Sequence, residues 1–68
     1  MYRRVSDTRI AVVIPDRLQR TLRGLQIVLC RMPQSERALF CTYAWAGEER
    51  DESGRRWGLI DVRLREKE

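Results

Sequence analysis

The apolar positions of the chain gather in four runs, at residues 8–14, 25–32, 38–46 and 56–65, with charged or turn-forming residues between them. Residues 8–14 (TRIAVVI) are short and β-branched, which predicts a strand ended by Pro15, whose ring removes a backbone donor. The DRLQRTLRG that follows carries helix signals. Asp16 and Gln19 stand at capping-box spacing, Leu18 and Leu22 are one turn apart, and Gly24 suits a left-handed cap. The expectation is a two-turn helix over residues 17–23, with its leucines on one side and Arg20 and Arg23 on the other.

Residues 25–32 (LQIVLCRM) then predict a strand, PQSER a turn, and residues 38–46 (ALFCTYAWA) a further strand. The last run also fits a helix capped by Ser35 and closed by Gly47, but its density of Phe, Cys, Thr, Tyr and Trp favours a strand. Residues 56–65 form the final strand, after the octet GEERDESG, which is too polar and too long for a tight hairpin turn. Pairing Ala46 with Arg55 sets Tyr43 opposite Gly58, Cys41 opposite Ile60 and Leu39 opposite Val62. Pairing Met32 with Ala38 adds Leu25, Ile27 and Leu29 to that same face, beside Trp45. One wall of a core results, covered by Leu18 and Leu22.

The predicted fold is α+β in the order β-α-β-β-β: an antiparallel three-stranded meander, one short helix, and a first strand that is either the fourth member of the sheet or the closing strand of a partly open barrel. Residues 1–7 read as a flexible N-terminal arm, 8–65 as a single small domain and 66–68 as a charged tail.

The same register assigns Gln26, Val28, Cys30, Ala38, Phe40, Thr42, Ala44, Trp57, Leu59, Asp61 and Arg63 to the other face of the sheet. Its apolar members would expose roughly a few hundred Å2, large for a monomer of this size. A cover is therefore expected: the first strand curling around, a second copy of the chain, or a nucleic acid or foreign protein.

Length and composition sharpen this picture. Sixty-eight residues form one small core, which usually needs a disulfide, a metal or oligomerisation to support it. Cys30 and Cys41 are the only cysteines, and the register sends them to opposite faces, so two free thiols in a reducing compartment are expected. The chain has no His and no zinc-ligand spacing. No apolar run approaches the ~18 residues of a membrane span, and none follows the first arginines, so a cytoplasmic protein is expected.

Net charge is +4, carried by thirteen Arg and one Lys against ten acids. Up to Gly47 there are eight Arg against three acids, and from Glu48 onward six basic residues against seven acids. Arginine suits bidentate phosphate contacts, and aromatic rings interleaved with arginines on a sheet can stack bases. The glycine-and-aromatic consensus of the common sheet-based RNA-binding module is absent.

Enzymatic readings find little support. Asp61 lies within an apolar strand beside Arg63, which fits an ion pair better than a general base. Cys41 is expected to be buried and inert. Glu48, Glu49, Asp51 and Glu52 do not follow a calcium-loop spacing, and the glycines build no phosphate loop. The expectation is a small basic binding module, not an enzyme, without cofactor or metal. Nucleic acid is the expected partner, held by Arg20, Arg23, Phe40, Arg55, Arg56, Trp57 and Arg63. The alternative is a protein-binding adaptor or inhibitor, homodimeric through the apolar second face.

Overall fold

A computed structural model describes residues 2–65; the predicted charged tail lies outside the described residues. The elements are strands β1 (Tyr2–Ser6) and β2 (Arg9–Val13), helices α1 (Leu22–Cys30) and α2 (Gln34–Arg37), and strands β3 (Phe40–Arg50) and β4 (Arg56–Leu64). The four strands form one open antiparallel sheet in the order β1-β2-β4-β3, so the α+β class with one four-stranded sheet and a short helix holds. The predicted first strand is the inner strand β2, and the barrel alternative falls away. The fourth strand comes from the segment expected to be an arm, since Tyr2, Arg3 and Arg4 pair with Val12, Ala11 and Ile10.

The helix sits later than predicted. Thr21 Oγ1 accepts the Gly24 N–H at 3.0 Å, an N-cap that starts the helix where the sequence reading ended it. Leu25, Val28 and Met32 then recur at helical spacing and are buried, so the run expected to be a strand is α1. Residues 15–20 become the loop that leads into it. Gly24 is not a terminal cap: a Cβ there would fall onto the backbone oxygen of Gln19, so glycine is what lets the loop lie against the first turn.

The hairpin β3–β4 is longer than predicted. β3 continues through Gly47, whose φ of +143° accompanies a register shift between Trp45 and Gly47, and the turn occupies only residues 51–55. A second shift lies between Phe40 and Thr42. Between the two, Tyr43 faces Val62 and Trp45 faces Ile60, so these four share the predicted core face in a different register. The extra residue at Cys41 reverses the alternation before it: Phe40 turns into the core and Cys41 is exposed, the opposite of the prediction.

The core lies between the sheet and α1. Ile10, Val12 and Ile14 from β2 and its end meet Ile60, Val62 and Phe40 from the hairpin and Leu25, Val28 and Met32 from the helical side. Trp45 lies across Gly58, where a Cβ would come within 2.6 Å of the ring, and its indole N–H donates to the Thr21 carbonyl at 2.7 Å. That bond fixes the start of α1 over β3.

Gly24→Ala separates two effects of opposite sign. Helix propensity alone would stabilise the variant by about 1 kcal/mol, whereas displacement of the Gln19 backbone should destabilise it by about 1–3 kcal/mol. Urea denaturation is expected to show the loss. Leu22→Ala, at a side chain 80% exposed, should change stability by no more than about 0.5 kcal/mol.

Candidate nucleic-acid interface

The residues expected to bind together are divided by the fold. Phe40 is 1% exposed under the helical layer, with the Arg4 guanidinium 5.5 Å from its ring centre. Trp57 belongs to the opposite face, opposite Val13 and Glu49, and is 5% exposed. They form no common stacking platform.

Trp57 is covered by the chain itself. The Arg3 guanidinium lies 4.7 Å from the ring centre and reaches Glu49 at 3.9 Å, while the indole N–H donates to Asp51 Oδ2 at 2.8 Å. Asp51 Oδ1 accepts from the backbone N–H groups of Ser53 and Arg55 and from the Ser53 hydroxyl, closing the hairpin turn. Further along this face Arg9 pairs with Asp61 at 2.9 Å, and Ala11, between Arg3 and Leu59 in the sheet, is fully buried. Long side chains lying flat over apolar neighbours replace the open apolar patch that the sequence reading expected. Asp61 is thus an ion-pair partner at the surface.

Arg56 is also part of the framework. Its Nε and Nη2 donate to the two carboxylate oxygens of Glu48, both at 2.7 Å. Its Nη1 donates to the carbonyls of Leu18 at 2.7 Å, Pro15 at 3.2 Å and Asp16 at 3.3 Å. The side chain is 12% exposed, and the planar fork joins β4, β3 and the loop before α1 in one network. Arg20 completes that network by donating to Glu48 Oε1 at 3.1 Å. Arg55 sits in the hairpin turn and Arg63 is exposed opposite Thr42.

Of the expected set, Arg23 and Arg63 remain exposed, and their side chains make no hydrogen bond or ion pair with another described residue. Outside that set the side chains of Arg17 and Arg31 share this condition, as do those of Arg65 and of Arg4, which lies over the Phe40 ring. Residues 17–35 hold Arg17, Arg20, Arg23 and Arg31 and no acid, and they build α1 and most of its approach loop. The acids Glu48, Glu49, Asp51 and Glu52 are instead collected at the far end of the hairpin. Arg17 and Arg23 line a groove of about 290 Å3 together with Leu18, Thr21 and Ile27. The acid-free window was visible in the sequence; dividing the charge at Gly47 concealed it.

Among the described residues no group of His, Cys, Asp or Glu could hold a metal ion, and no helix is long and apolar enough to cross a membrane. Both thiols are free and exposed.

Hydrogen bonds from Arg56, then the charges of Arg56 and Arg20, hold the Glu48 carboxyl down at about 2. Bonds from Ser53 and then Trp57 hold Asp51 below the usual carboxylate range. Because both folded values lie below the unfolded ones, the stabilisation is complete above the unfolded value of 4.5 for Glu48 and is lost as pH falls towards about 2. Melting temperature should therefore decline over that window. Glu48→Gln should melt lower at neutral pH and decline less steeply in acid; an equally steep decline would remove Glu48 from the account.

The chain matches no protein-family model, no curated protein and no solved structure.

Proposed function

We propose that the chain is a small non-enzymatic nucleic-acid-binding module that engages the phosphate backbone through Arg17, Arg23 and Arg31, with Arg20 adding to the field. One observation carries the reading: residues 17–35, which form α1 and most of its approach loop, have four arginines and no acid, and the side chains of three of them bond to no described residue. Guanidinium groups without internal partners can pair with phosphate oxygens and release condensed counterions. Arg63 stands apart on the helix-free face as a secondary contact. Phe40 and Trp57 leave the binding set because their rings are buried, and Arg56 leaves it because its donors are engaged. The reading is thus backbone recognition by shape and charge, without base stacking.

Binding to a labelled DNA or RNA duplex, titrated over a range of salt concentration, tests this. Three phosphate contacts on DNA predict that log K falls with log salt at a slope of about −3, and each of Arg17→Ala, Arg23→Ala and Arg31→Ala should reduce the slope by about one. Absence of binding at low salt, or a slope unchanged in all three variants, would overturn the reading.

A further inference from the structure

We infer that β3 is a self-association edge, pairing antiparallel with β3 of a second copy to make one continuous eight-stranded sheet. Among the described residues, no strand occupies the outer side of β3. The direction of its backbone groups follows from β4. Val62 N–H donates to Thr8 on the β2 side and Arg65 N–H to Leu39 on the β3 side, so Asp61 and Arg63 turn towards β3. Their partners Ala44 and Thr42 bond inward, and the alternate residues Tyr43 and Trp45 direct their N–H and C=O groups outward.

The edge is uncharged where it is open. Residues 40–46 (FCTYAWA) contain no charge and no proline, and between the two register shifts residues 42–45 run as regular strand. Exposed apolar side chains stand beside it. Leu39 precedes the strand, Leu64 pairs with Phe40, and Leu22 follows Thr21, whose carbonyl holds Trp45; all three are among the most exposed large apolar residues of the chain.

Charge selects a second copy as the occupant. Glu48 and Glu49 with Arg50 leave one end of β3 net negative, whereas the other end is net positive, with Glu36 beside Arg37, whose carbonyl accepts the Tyr43 hydroxyl, Arg63 opposite Thr42 and Arg65 bonded to Leu39. A two-fold axis through Ala44, perpendicular to the sheet, reverses the strand and sets each acidic end against the partner's basic end. The same axis places Tyr43 against Trp45 of the second copy, so the outward backbone groups of both are satisfied. The two-fold also leaves both helical layers on one side of the joined sheet, which doubles the arginine surface.

Ala44 is exposed and lies opposite Asp61, so a lysine there has a neighbouring carboxylate within its own chain. In the dimer it would face its own copy across the axis. Sedimentation equilibrium should show a concentration-dependent dimer for the unmodified chain, with association weakened about a hundredfold or more in Ala44→Lys. An equimolar mixture of Ala44→Lys and Ala44→Glu should recover the dimer. A monomer at the highest attainable concentration, or a dimer unaffected by Ala44→Lys, would overturn the inference. Hydrogen exchange on the unmodified chain provides an independent reading: protection of the Tyr43 and Trp45 amides should rise with concentration, and concentration-independent exchange at both would contradict the pairing.

Discussion

The guanidinium of Arg56 is bonded at once to the Glu48 carboxylate on the neighbouring strand and to three carbonyls of the loop that leads into α1. The position of that loop decides the rest. Residues 15–18 close a tight turn in which the Leu18 N–H donates to the Pro15 carbonyl at 3.0 Å, and the helix begins only where Thr21 supplies a cap. Thr21 in turn accepts from Trp45, and Gly58 leaves room for the Trp45 ring, so the helix start, the long hairpin and the approach loop form one connected assembly. A half-buried fork with its donors satisfied suits this role better than a lysine would, since it bonds in several directions from one plane.

Arginine thus does two kinds of work here. Arg3, Arg9 and Arg56 lie on or under the sheet, each against a carboxylate, and Arg3 also covers Trp57. Arg3 and Arg9 explain how a small four-stranded sheet keeps its helix-free face without a second layer, since aliphatic stems cover apolar neighbours while the charged heads reach water, whereas Arg56 acts on the helical side. Arg17, Arg23 and Arg31 have no such duty, and they belong to the acid-free stretch of residues 17–35. The separation between acidic hairpin and basic helix follows from topology, since the chain crosses from β2 over β4 to reach the far edge.

Much of the sheet was legible from periodicity. The β-branched run at residues 8–14 is β2, the last apolar run is β4, and Tyr43, Trp45, Ile60 and Val62 share the face that alternation assigned to them. What escaped reading was decided by contacts remote in sequence. LQIVLC has strand-like composition, yet Leu25 and Val28 bury on a helix, with Met32 just beyond its end, because Thr21 caps it and the sheet offers an apolar wall. Phe40 could not be placed correctly without the bulge at Cys41, since a single extra residue inverts every side chain before it. Among candidate site residues, the spacing of Arg23 and Arg63 told of exposure. No local signal distinguished Arg56 from them, because its partners at residues 15, 16, 18 and 48 become neighbours only on folding.

The proposed division of the arginines into framework and binding groups can be read in one experiment: arginine side-chain Nε–H resonances recorded by NMR with and without a nucleic-acid duplex. Arg56 is expected to exchange slowly with solvent and to keep its position when duplex is added, while Arg17, Arg23 and Arg31 exchange rapidly when free and shift on binding. A fast-exchanging Arg56 that moves with added duplex, beside unchanged signals from Arg17, Arg23 and Arg31, would contradict the account.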